Sequence, residues 1–174
     1  MHSKGLKKQT LNKTSISNKS VFYVVGVMSG TSLDGIDLCL TRFEQADSWK
    51  FKIIDAETVD YPIQWQERLQ NAITLSASQL VEINNDYTYF LSKVISNFIK
   101  QHPKTTIDAI CSHGHTIFHQ PNLGRTLQIG NLPILSNYLN QTVVCDFRTQ
   151  DISLGGQGAP LVPIGDAMLF PQYD

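Results

Sequence analysis

Between Val21 and Met28 the chain reads VFYVVGVM, β-branched and nearly all apolar, the pattern of a strand buried on both faces. Ile36, Leu38 and Leu40 then alternate with Asp37, Cys39 and Thr41, which predicts a second strand with one more polar side, joined to the first as a hairpin. After a polar turn at Gln45 to Ser48, Trp49 to Thr58 completes an antiparallel meander of three strands. The period then lengthens. Ile63 to Ile73 reads as a short helix, and between Ser78 and His102 the residues Leu80, Ile83, Tyr87, Phe90, Leu91, Val94, Ile95, Phe98 and Ile99 fall on one helical stripe, ended by Pro103. A strand at Ile107 to Cys111, a loop rich in histidine, a helix near Leu132 to Leu139 and a strand at Thr142 to Cys145 follow. Pro160 and Pro163 predict the start of a further helix running toward Phe170. The order β, β, β, α, β, α, β, a meander followed by right-handed crossovers, specifies an α/β fold with a mixed sheet and flanking helices.

Composition narrows the function classes. The 174 residues suit one domain, and 41% hydrophobic content against 17% charged and a net charge of -1 supplies a core and argues against a disordered chain. With 14 Lys and Arg against 15 Asp and Glu, the basic excess that nucleic-acid binding needs is missing. Cys39, Cys111 and Cys145 are widely spaced and form no CxxC, so they build neither a disulfide framework nor a four-cysteine zinc site, which points to a reducing cytoplasm. No apolar run approaches the roughly 18 residues needed to cross a bilayer, so no membrane span is expected. Residues 1–20 carry five lysines and no acid ahead of the apolar run, imitating a secretory signal. The polar loop directly after that run argues for a solvated, disordered tail instead.

Three stretches could carry chemistry. Gly30, Thr31, Ser32, Leu33, Asp34, Gly35, Ile36 and Asp37 lie in the turn between the first two strands. Two glycines allow close backbone approach and the hydroxyls add donors, which together make a nest for phosphate. Asp34 and Asp37 suit such a loop if Mg²⁺ lies between them and the phosphate, held directly or through water. A plain hairpin turn explains the same residues. The loop is neither a Walker loop nor a dinucleotide GxGxxG. The second stretch runs from Cys111 to His119. Its His115 and Thr116, at the end of a strand, suit a polar substrate, whereas Cys111, His113 and His115 would share one face of an extended chain and offer a zinc site as the alternative. The third, Asp146 to Asp151 with the glycines that follow, mixes donors and acceptors suited to sugar hydroxyls and a carboxylate. An Asp146–Arg148 salt bridge bracing the glycine-rich connection is the plainer reading.

Taken together, MSGTSLDGID at 28–37, SHGHTIFH at 112–119, TLQIGN at 126–131 and DFRTQDISLGGQGAPLVP at 146–163 resemble the anhydro-N-acetylmuramic acid kinase family. The resemblance implies the actin-like ATPase fold, in which two ribonuclease-H-like domains close on ATP, with residues 21–174 as the first domain. It implies phosphorylation of the 6-oxygen of 1,6-anhydro-N-acetylmuramic acid while water opens the anhydro ring, giving N-acetylmuramic acid 6-phosphate in peptidoglycan recycling. Gly30 to Asp37 would be the ATP phosphate loop, with Asp34 or Asp37 nearest Mg²⁺, and His115, Thr116, Asp146, Arg148 and Asp151 would line the sugar pocket. Family members continue past the position of Asp174 and carry their catalytic aspartate in a later Asp-x-Gly-Pro-Gly-Asn motif. The expectation is therefore an amino-terminal part, inactive alone, of an enzyme that is a homodimer when full length. A binding remnant for nucleotide or sugar without turnover is the alternative.

Overall fold

The computed structural model describes residues 19–171, so the expected disordered tail lies outside the described residues except for Lys19 and Ser20. The elements are β1 (Val21–Ser29), β2 (Gly35–Gln45), β3 (Trp49–Asp60), α1 (Ile63–Asn71), α2 (Ala77–Lys100), β4 (Ala109–Gln120), β5 (Arg125–Ile129), α3 (Ile134–Leu139), β6 (Val143–Cys145), α4 (Phe147–Ser153) and α5 (Val162–Leu169). The path β3-β2-β1-β4-β5 forms one sheet, with β6 also paired to β4. The first three strands are antiparallel, and β1 runs parallel to β4 and β4 to β6. This is the meander plus parallel crossovers that the order of elements specifies, a mixed sheet with flanking helices.

Two segments depart from the sequence expectation. The histidine-rich stretch is strand rather than loop. β4 continues to Gln120 because β5, which the short TLQI pattern did not announce, pairs antiparallel with it from His115↔Ile129 to Gln120↔Arg125. Residues 147–153 form the helix α4, where no helix was anticipated.

One face of the sheet holds the core. Val25 and Val27 of β1, Ile36, Leu38 and Leu40 of β2, Ile110 of β4 and Ile129 of β5 are all buried. The stripe of α2 packs on them through Ile83, Tyr87, Leu91, Ile95 and Phe98, with Leu69 of α1 and Leu135 of α3 alongside. A capping box starts α2: the Ser76 hydroxyl accepts from Gln79 N, and Gln79 Oε1 accepts from Ser76 N. Such a cap contributes about 1 kcal/mol. It holds the long helix in the register that buries Tyr87 beneath the end of β1. On the other face, α5 packs near β3, with the Phe51 and Phe170 rings 5.4 Å apart.

Candidate functional site

The loop grows out of β1 at Ser29 and returns at Gly35. Leu33 N donates to Gly30 O at 3.4 Å, and Leu33 takes a left-handed φ of 60°, uncommon for a leucine. This lets the Leu33 side chain pack on the core while Thr31 and Ser32 stay exposed. Glycine is required at position 35, since a Cβ there would lie 2.8 Å from Val59 O and from Thr58 Cγ2. Asp34 Oδ1 accepts from Ser32 Oγ at 2.6 Å and from Gly35 N at 3.0 Å. The Ser32 hydroxyl, helped by the backbone N–H groups of Asp34 itself and of Gly35, holds the Asp34 carboxyl below its ordinary value. Asp37 pairs with Thr58 across β2 and β3, and its Oδ1 accepts from Thr58 Oγ1 at 2.6 Å. Both carboxylates are exposed.

β4 delivers the second stretch through a bulge. Gly26 pairs with Cys111 and Val27 with Ser112, but Ser29 pairs with His115, so β4 carries one extra residue. Gly114 sits in this bulge with φ 68°, and a Cβ on it would meet Ile129 O at 2.5 Å. The extra residue reverses the alternation. His115 therefore shares the helix-packed face with Ser29, while Cys111 and His113 point to the other side. The zinc alternative fails on this geometry, and among the described residues no group of three His, Cys, Asp or Glu could hold a metal ion. His115 is 3% exposed, and its Nδ1 lies 3.1 Å from Ser29 Oγ. Burial, with a smaller contribution from His113, lowers its pKa to about 4 and keeps the ring neutral.

The third stretch is organised by α4. Arg148 Nε donates to His113 Nε2 at 2.8 Å, and Arg148 Nη1 donates to Gly158 O at 3.3 Å. Asp151 Oδ2 accepts from Gly158 N at 2.7 Å. Both backbone groups of Gly158 are thus held by α4, which makes Arg148 and Asp151 braces of the glycine-rich segment. The Asp146–Arg148 ion pair does not form; Asp146 precedes α4 with φ 60° and is exposed.

Asp146 instead borders a cleft of about 400 Å³ together with Asn84, Thr126, Gln128, Asn131 and Thr149. Gln128 Oε1 and Asn131 Oδ1 are buried without a hydrogen-bond partner among the described residues. Buried acceptors of this kind ask for a donor. Gln128 Nε2 donates to Thr116 Oγ1 at 3.3 Å, which ties the cleft to the residue after His115. Sequence reasoning missed Asn84, Gln128 and Asn131, because an amide side chain carries no spacing signal until the fold gathers it.

The site is thus a mixed-sheet α/β domain with a glycine, hydroxyl and carboxylate loop at the end of its first strand and a polar cleft beyond its fourth. Residues 22–174 match the model of the anhydro-N-acetylmuramic acid kinase family, and the chain belongs to that family. It is 39% identical over 161 residues to the anhydro-N-acetylmuramic acid kinase of Bacillus cereus (strain Q1), covering 85% of this chain and 42% of the relative. It is 38% identical over 160 residues to that of Bacillus thuringiensis subsp. konkukian (strain 97-27), with 85% and 42% covered. The chain therefore spans about two fifths of the length of these curated relatives. A solved RuvC structure from Thermus thermophilus aligns at 12% identity with a TM-score of 0.37, over 85% of this chain and 80% of the other, a likeness too slight to weigh.

Proposed function

We propose that this chain is the amino-terminal part of a kinase that uses ATP and water to convert 1,6-anhydro-N-acetylmuramic acid into N-acetylmuramic acid 6-phosphate, in the recycling of peptidoglycan in the cytoplasm. Membership in the family supports the reaction. The observation that carries the assignment to these residues is the Ser29↔His115 pairing, which sets the root of the hydroxyl-rich loop beside the strand that leads into the polar cleft.

In this reading Gly30 to Asp37 takes the ATP phosphates, with backbone amides and the Thr31 and Ser32 hydroxyls as donors. The two exposed carboxylates fit Mg²⁺, which keeps several waters and completes its shell with phosphate oxygens rather than needing a closed protein cage. Asp34 or Asp37 holds it, directly or through water, and bound Mg²⁺ neutralises phosphate charge. The sugar lies along His115, Thr116 and Asp146, with Gln128 and Asn131 accepting from its hydroxyl or amide groups. Arg148 and Asp151 shape that wall by holding His113 and Gly158. Phosphoryl transfer needs a closed, dry cleft, and one domain supplies one wall, so these 174 residues bind without turning over.

Calorimetry tests the reading. The chain is expected to bind MgATP and the anhydro sugar, with Asp37→Asn weakening nucleotide binding in Mg²⁺ more than in EDTA and leaving the melting temperature within a few degrees. Equal affinities for the variant and the parent in Mg²⁺ would remove Asp37 from the metal site. ADP and sugar phosphate appearing together in an assay of the chain alone would overturn its inactivity.

A further inference from the structure

Four polar side chains are buried together where β1 ends. Ser29 Oγ lies 2.5 Å from Tyr61 Oη, 2.7 Å from Tyr87 Oη and 3.1 Å from His115 Nδ1, and the two tyrosine oxygens are 2.5 Å apart. The residues come from β1, the β3–α1 connection, α2 and β4. Ser29, Tyr61, Tyr87 and His115 are each no more than 5% exposed, so bulk water is kept away from the hydroxyls.

The protons can be counted. A hydroxyl carries one proton, so three hydroxyls supply three, and the Ser29–Tyr61–Tyr87 triangle has three edges that use them all. The fourth bond, from Ser29 to His115, needs a proton of its own. Neither tyrosine supplies it. Burial raises the pKa of both phenols, so they stay protonated and each still has only one proton to give. The imidazole is the remaining source.

We infer that His115 is held as the Nδ1–H tautomer by the Ser29–Tyr61–Tyr87 triangle, and so acts as a positioning residue that pins the root of the Gly30–Asp37 loop to the bulge of β4. A neutral ring protonated on Nδ1 leaves Nε2 as a bare acceptor. Any group that meets His115 at that nitrogen must therefore donate, which admits a hydroxyl or an amide N–H and disfavours a carboxylate or phosphate oxygen. The tautomer rests on the buried groups alone. The preference for a donor deepens the sugar reading above and depends on it. The groups facing the ring are Ser29 from β1 and Tyr87 from α2, with Tyr61 ahead of α1 behind them; His113 acts on the ring only through space, from the other side of β4, and Asp34 and Asp37 act on Tyr61 from the loop.

The test is nitrogen-15 NMR of the histidine side chains in the full chain at neutral pH, with His115 assigned from its absence in His115→Gln. No ligand is needed, so the outcome is separate from the fate of the kinase reading. The expected spectrum shows His115 protonated at Nδ1 with Nε2 bare. Tyr87→Phe removes one hydroxyl and leaves two bonds for two protons, so Ser29 can donate to Nδ1 and an Nε2–H population emerges. Tyr61→Phe does the same and serves if the first variant does not fold. An Nε2–H ring in the parent chain would overturn the inference, as would a tautomer that stays put in both variants, since a merely packed histidine would ignore the loss of a remote hydroxyl.

Discussion

Arg148 Nε donates to His113 Nε2 at 2.8 Å, joining the first turn of α4 to the residue just before the bulge of β4. His113 Nδ1 lies 2.9 Å from Gly114 O, so the ring donates from Nδ1 to that carbonyl and accepts at Nε2 from the guanidinium. Burial, aided by the Arg148 charge, lowers the His113 pKa and keeps the imidazole ring neutral. A planar fork is needed to reach His113 and Gly158 O at once, which a lysine cannot imitate. Arg148→Lys is expected to lower stability by about 1.5–3 kcal/mol, the range for a hydrogen bond to a charged group. It should also speed amide exchange across residues 155–158. Unchanged exchange there would show that the segment holds itself.

The same segment offers a second test. A Cβ on Gly156 would lie 2.1 Å from Asp151 Oδ2 and 2.5 Å from Asp151 Cγ, so an alanine must push the carboxylate off Gly158 N. Gly156→Ala should therefore reproduce the effect of Asp151→Ala on proteolysis of residues 155–158. The double variant should add nothing, because both remove one interaction. Additive effects in a double-mutant cycle would mean that Gly156 acts by another route.

Acid should weaken the fold through its buried histidines. His115 has a folded pKa of about 4 against an ordinary 6.5. The unfolded chain therefore binds more protons between those values, and stability falls as pH drops from about 6.5 toward 4. A shift of that size corresponds to roughly 3 kcal/mol at most, and the lowered pKa of His113 acts in the same direction. Urea midpoints should drop between pH 7 and pH 5, and His115→Gln should flatten that slope. A slope untouched by the substitution would place the acid sensitivity elsewhere.

How much of this was legible depends on what each residue does. The meander and the long α2 stripe follow from apolar periodicity, which burial on one face enforces, and the alternation of strands and helices after them gives a mixed sheet; which strand β4 joins is decided only by the assembled sheet, where it lies parallel to β1. The loop was legible because glycine, hydroxyl and carboxylate residues crowd one turn. The run from Cys111 to His115 misled, since equal spacing implied one shared face and a single extra residue at Gly114 reversed it. Pairing partners decide such a bulge, and the TLQI strand is too short to declare itself. Tyr87 reads only as one apolar position of the α2 stripe, and nothing in the sequence singles out Tyr61. Their hydroxyls meet each other and Ser29, which in turn meets His115, because four distant segments converge, and no local pattern encodes that.

The bulge itself can be tested at Gly114. Its φ of 68° is strained for any side chain, and the Cβ of an alanine would lie 2.5 Å from Ile129 O and 2.7 Å from Asn131 Nδ2. The first obstacle is backbone of the paired strand and cannot swing aside. Two responses are open to the chain: β5 moves away from β4, or β4 gives up its extra residue and turns His115 to the other face. Either one separates His115 from Ser29, so Gly114→Ala should cost about 2–5 kcal/mol, the roughly 1–2 kcal/mol of a left-handed backbone added to the 1–3 kcal/mol of an overpacked position. The remaining folded protein should show a His115 that titrates closer to its ordinary value, because it has left the buried set. Gly124→Ala is the control, with φ 63° but nothing within 4 Å of its Cβ. It should show the smaller loss, of about 1 kcal/mol, that a left-handed backbone alone exacts. Equal losses at the two glycines would mean that the close approach of Ile129 O contributes nothing and that strain in φ accounts for both.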